Sequence, residues 1–220
     1  MDLSIFEVLG PVMIGPSSSH TAGAARLARA AAEIAARPFF RVEFALHGSF
    51  LKTGEGHGTR LALLAGAMGI GEEDERLRDA EQLARENGID YRFTELEAED
   101  MPENTVRIRF DHMDGTESNI LGSSIGGGRI CIRAIDGMPT EVYGDAPTLI
   151  IRQDDVKGVV SSITTLLARA GINIAVMRVG RQAKGMQAFT VLELDEPVPR
   201  QLLPELRALP GIRQVCVLQL

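Results

Sequence analysis

From Thr148 to Leu220 the hydrophobic period switches in a fixed order, and few folds accept that order. Thr148–Arg152 has the apolar, β-branched texture of a strand. Val156–Ala170 sets Val159, Ile163, Leu166 and Leu167 on one helical face, and Gly171 follows where a helix needs a stop. Ile172–Val179 and Met186–Leu194 read as strands around a turn at Lys184-Gly185. Gln201–Leu209 is a helix closed by Pro210-Gly211, and Ile212–Leu218 is a final strand. The order βαββαβ is that of a split-βαβ, ferredoxin-like unit.

The residues upstream have a different texture. Gly10–Thr21, GPVMIGPSSSHT, has too many Pro, Gly and Ser residues for a regular helix or a central strand. It runs directly into Ala22–Arg37, where Leu27, Ala30, Ala31 and Ile34 recur at helical spacing until Pro38. Phe39–Leu46 predicts a strand, and His47–Gly58, with four glycines in twelve residues, a tight loop. Thr59–Met68 predicts a buried helix, and Glu73–Asn87 a charged one ended by Asn87-Gly88. Tyr91–Leu96, Thr105–Phe110, Thr116–Gly122 and Arg129–Ile135 read as strands, Ser123–Gly128 as a glycine-rich turn, and Pro139–Pro147 as a linker. Together these predict an α+β N-terminal domain over residues 1–145 and a ferredoxin-like domain over 148–220.

Composition narrows the function. A net charge of −7 with no basic stripe disfavours nucleic-acid binding. No window approaches the roughly 18 apolar residues of a membrane span. The N-terminus lacks the charged and apolar regions of an export signal, so the chain reads as cytoplasmic. Cys131 and Cys216 are far apart in sequence, which argues against a disulfide framework or a cysteine zinc site.

Chemistry concentrates in two loops. Ser17, Ser18, Ser19, His20 and Thr21 place hydroxyls and an imidazole ahead of a helix, where free N–H groups attract anions. Helix capping by one serine is the alternative use of the same run. His47, Gly48, Ser49 and His57 lie in the glycine-rich loop, where a backbone approaches a small substrate closely and a histidine moves protons near neutral pH. Three of the four histidines fall within residues 20–57. A Ser-His hydrolase would need an acidic partner and a G-x-S-x-G elbow, and the elbow is absent. Gly126–Gly128 lacks the context of a dinucleotide fingerprint and reads as a turn.

These residues resemble a known family. Ser4–Val8 with Gly15–Thr21, then His47–Phe50 with Thr53–Thr59, then Asn119–Gly128, are similar to three signatures of the β-type region of iron–sulfur-dependent L-serine dehydratases. Asp155-x-x-Gly158-x-x-x-x-Ile163 followed by Gly171-Ile172-Asn173-Ile174 resembles an ACT domain. The resemblance implies deamination of L-serine to pyruvate and ammonia, Ser17–Ser19, Thr21, His47, Gly48 and Ser49 as substrate-binding residues, and His57 and His20 as acid–base residues. It implies that a partner α-subunit holds a four-iron, four-sulfur cluster and that this chain supplies no metal ligand. It also implies homo-association through the ACT domain and an effector site at Asp155, Gly158, Asn173 and Ile174. Glu55, Arg60 and Lys157 depart from the common residues of those motifs. The N-terminal part is also similar to the allosteric substrate-binding domain of some phosphoglycerate dehydrogenases, so a non-catalytic amino-acid sensor is the alternative.

Overall fold

A computed structural model of the chain describes residues 12–54, 56–181 and 183–218. These divide into two compact units: residues through Gly137 with Glu141–Tyr143, and Met138–Thr140 with the residues from Gly144 onward.

The first unit is a twisted sheet with helices on one face. Its strands are β1 (Phe39–Leu46), β2 (Asp90–Glu95), β3 (Thr105–His112), β4 (Glu117–Gly126), β5 (Arg129–Ile135) and β6 (Met138–Val142, of which Glu141 and Val142 group with this unit), in the spatial order β2-β1-β3-β4-β5-β6. β1 and β2 are parallel, while β1, β3, β4 and β5 pair antiparallel in turn. Val42, Phe44, Val106, Ile108, Phe110, Ile120 and Ile132 are buried, and alternation sends Glu43, Arg107, Arg109 and Asn119 to the opposite face.

Two helices matter most for function: α1 (Gly23–Ala35), which continues a π-helical turn over Ser18–Ala22, and α3 (Thr59–Ala67); between them lies the short α2 (Ser49–Lys52). Alanines and Leu27 line the buried side of α1, so little side-chain bulk separates it from α3. At the crossing a Cβ on Gly66 would stand 2.1 Å from the Ala25 carbonyl oxygen, a separation only glycine permits.

Outside the serine run and the His47–Gly58 loop, the structure differs from sequence expectation at three places in this unit. The charged segment after α3 is not one helix but a 3₁₀ turn, Glu75–Asp79, followed by α4 (Ala80–Glu86). The Asp74 carboxylate accepts the Arg76 N–H at 2.9 Å and starts the tighter turn. The expected linker begins as strand β6, because Asp136 and Gly137 both have positive φ and turn β5 back as a two-residue hairpin. Pro139 is tolerated because β6 is the edge of the sheet. Residues 123–126, expected in a turn, complete β4.

The second unit has the expected order. Its elements are β7 (Thr148–Asp154), α5 (Val159–Arg169), β8 (Ile174–Arg181), β9 (Gln187–Leu194), α6 (Leu202–Ala208) and β10 (Ile212–Leu218), with sheet order β10-β7-β9-β8. Val159, Ile163 and Leu167 of α5 join Leu149, Ile151, Leu192, Leu202, Leu206 and Val215 in its core.

Candidate functional site

The serine run is helical where a loop was expected. Ser17 is extended and caps the turn, its Oγ accepting the His20 N–H at 3.2 Å. Capping therefore occupies one hydroxyl of the run, while Ser18, Ser19, His20 and Thr21 sit inside the first turn ahead of α1. Thr21 is buried, and its hydroxyl donates to the His57 carbonyl at 3.0 Å, tying the serine turn to the glycine-rich loop.

His20 lies between the two loops. Its Nε2 is 3.1 Å from Ser49 Oγ and 3.2 Å from Thr53 Oγ1, and those hydroxyls are 3.1 Å from each other. Its ring meets Phe50 edge-on at 5.4 Å and stands 5.1 Å from the His57 ring. Burial lowers the His20 pKa below 6.5 and the charge of His57 lowers it further, against an opposing contribution from Ser49. His57 itself is exposed. The geometry thus pairs a fixed imidazole, biased toward neutrality, with a solvent-facing one.

The remaining expected residues divide. Ser49 joins His20 directly, and its N–H donates to the Glu103 carbonyl at 2.7 Å. Gly48 is buried at the head of α2, where its carbonyl accepts the Lys52 N–H at 3.0 Å. His47 points elsewhere: its Nδ1 is 3.3 Å from the Leu96 carbonyl. No carboxylate among the described residues hydrogen-bonds His20 or His57, so the acidic partner required by a Ser-His hydrolase is absent from that set. Ser4–Val8 and Glu55 lie outside the described residues; the Arg60 guanidinium sits over the Phe93 ring at 5.4 Å.

Sequence reasoning does not single out Thr53, because the glycines of His47–Gly58 predict a loop throughout. The helical turn of α2 places Ser49 and Thr53 four residues apart on one side, both facing His20. A Ser-x-x-x-Thr pair behind a glycine was the available signal.

Comparison with known proteins places the chain in a family. The serine dehydratase beta chain family model matches residues 4–94, and the ACT domain model matches 148–211. A probable L-serine dehydratase, beta chain, of Bacillus subtilis is 38% identical over 212 residues, spanning 96% of both chains. The chain belongs to the serine dehydratase β-chain family. The L-serine dehydratase beta chain of Peptoniphilus asaccharolyticus is likewise 38% identical, over 91% of each chain. A D-3-phosphoglycerate dehydrogenase of Synechocystis is 33% identical over 104 residues, 47% of this chain and 19% of that one. No helix among the described residues is long and apolar enough to cross a membrane.

In the ACT unit the polar effector candidates are engaged within the fold. Asp155 accepts from Arg181 Nη1 and from the Gly185 N–H, both at 2.9 Å. Asn173 donates through Nδ2 to Asp195 at 2.6 Å and through its backbone N–H to Glu196 at 2.8 Å. Gly158 caps α5 with φ 92°, and Ile174 opens β8.

The lowered pKa of His20 makes a stability prediction. Below 6.5 the unfolded histidine binds a proton that the folded one resists, so folding loses free energy as pH falls toward the folded pKa. Above 6.5 this contribution is fully present. Urea denaturation on either side of 6.5 should show wild type losing more stability toward acid than His20→Asn; equal losses would contradict the burial-lowered pKa of His20.

Proposed function

We propose that the chain is the β-subunit of a two-subunit L-serine dehydratase, whose overall reaction removes water from L-serine and hydrolyses the resulting enamine to pyruvate and ammonia. The observation that carries this reading is the convergence of the serine turn and the glycine-rich loop, with the His20 and His57 rings 5.1 Å apart. The serine-turn hydroxyls and N–H groups suit a small carboxylate. His57, exposed and with no hydrogen bond to its ring among the described residues, suits transfer of the α-proton, and His20 holds the loop geometry.

The described residues of this chain do not fit an iron–sulfur cluster. They contain no group of three or more His, Cys, Asp or Glu able to hold a metal, and Cys131 and Cys216 are both buried thiols outside any disulfide. The cluster is therefore assigned to an α-subunit, and none of the roles given to this chain's residues depends on it. Cytoplasmic location and amino-acid binding by the ACT unit belong to the same proposal. The edge strand β8 exposes Met177 and Val179, a surface suited to homo-association.

The rival reading is a non-catalytic amino-acid sensor. Anaerobic co-expression with the cognate α-subunit, followed by measurement of pyruvate from L-serine, separates them. The expected result is a brown complex that is active while the isolated chain is not. Turnover by the isolated chain without iron, or failure to associate, would overturn the proposal; serine binding without turnover in the assembled complex would establish the sensor.

A further inference from the structure

The sheet face opposite α1 and α3 holds a separate cleft of about 270 Å³, lined by Leu96, Met101, Arg107, Asn119, Leu121 and Ala134 among others. Its floor is a row across three strands, because Arg107 pairs with Leu121 and Leu121 with Ala134. The β2–β3 connection supplies Leu96 and Met101. None of the lining residues belongs to the serine turn or the His57 loop.

Arg107 stands apart from the other arginines of this face. On this face Arg109 bonds Asp111 at 3.0 Å and Glu117 at 2.6 Å, Arg133 bonds Ser123 at 2.8 Å, and Arg92 bonds Glu43. Glu43 is within electrostatic range of Arg107, yet one of its oxygens is held by Arg92 and the other by Thr94 Oγ1 at 3.1 Å. Among the described residues the Arg107 guanidinium has no hydrogen-bond or ion-pair partner, and neither does the Asn119 carboxamide. Two unpaired donors therefore border a mostly apolar cleft. A guanidinium matches a carboxylate through two parallel hydrogen bonds, and the apolar lining favours a hydrocarbon body.

We propose that this cleft binds a small aliphatic monocarboxylate, its carboxylate on Arg107 and Asn119 and its alkyl body on Leu121, Ala134, Leu96 and Met101. The lining contains no carboxylate to pair with an ammonium, so an amino acid such as serine is a poor ligand here. A second carboxylate would be desolvated against Leu and Met without a counter-charge.

Isovalerate and its uncharged isostere isovaleramide, titrated into the isotope-labelled full chain and followed by NMR, test the assignment. Saturable shifts are expected at Leu96, Met101, Arg107, Asn119, Leu121 and Ala134 with isovalerate, and none with the amide. Arg107→Gln should weaken binding by at least about tenfold. Ala134→Leu, which fills the cleft but leaves the guanidinium, should also abolish it, with the rest of the spectrum confirming that both variants fold. Shifts confined to residues 17–21, an equal response to the amide, unchanged binding in either variant, or no saturation would each overturn the proposal. This outcome is independent of serine turnover.

Discussion

His57→Ala should leave the assembled enzyme folded but nearly without turnover. The exposed ring makes no hydrogen bond among the described residues, and the backbone carbonyl that receives the Thr21 hydroxyl survives the substitution. Stability should therefore stay within about 0.5 kcal/mol, as for ordinary surface changes. Loss of a positioned acid or base typically costs about 10²–10⁴ in rate. The expected pattern is a kcat reduced by about that factor, a KM changed much less, and an unaltered urea midpoint. A second readout separates a chemical role from a merely structural one. Burial is the largest cause of the low His20 pKa, and repulsion from His57 adds to it. Removing His57 should therefore move the His20 titration midpoint upward by NMR while leaving it below 6.5. Near-normal turnover with an intact cluster would remove His57 from the chemistry, and an unmoved His20 midpoint would deny the electrostatic pairing.

How far the sequence carries the reader depends on the kind of signal each element leaves. The ACT unit was legible because each strand and helix buries one face, so its period appears in the residues themselves; β10 agrees with expectation from Ile212 to Leu218. The helix after the serine run was legible for the same reason. β6 was hidden because two prolines resembled a linker, although Asp136-Gly137 marks a hairpin and an edge strand accommodates Pro139. The break at Asp74 was hidden because the charged residues after it suit a 3₁₀ turn and an α-helix alike, and a side-chain bond decided between them. Within the site, Ser17–Thr21 and His57 stood out by residue type. The position of Thr53 on His20 depends on a helical turn of four residues, too short to show a period, and on a partner 33 residues away in sequence. The turning of His47 toward Leu96 is likewise a tertiary outcome.

Gly66→Val should be the most damaging single substitution away from the loops, and its effect follows from the way the loops are mounted. The serine turn runs into α1, and the His57 loop runs into α3, so the distance between His20 and His57 depends on how α1 packs on α3. A Cβ at position 66 would lie 2.1 Å from the Ala25 carbonyl oxygen and 2.9 Å from its carbonyl carbon. These are backbone atoms of the facing helix, and no side-chain rotation relieves the clash. Gly66→Ala gains about 1 kcal/mol of helix propensity, yet the forced separation should still leave it destabilised. For valine the overpacking cost should reach about 3 kcal/mol or more in the unfolding of the first unit, measured by urea denaturation. As the helices spread, the 3.0 Å bond from Thr21 to the His57 carbonyl breaks and the histidines part. Turnover of Gly66→Ala, measured at a temperature where the variant remains folded, should thus fall although position 66 contributes no group to the site. Gly180→Ala is the matching control: it lies in the ACT unit with no atom within 4 Å of the added carbon, and its effect should stay within about 0.5 kcal/mol. A Gly66→Val chain as stable as wild type would mean that α1 and α3 do not cross at this contact, and the placement of His20 beside His57 would lose its mechanical basis.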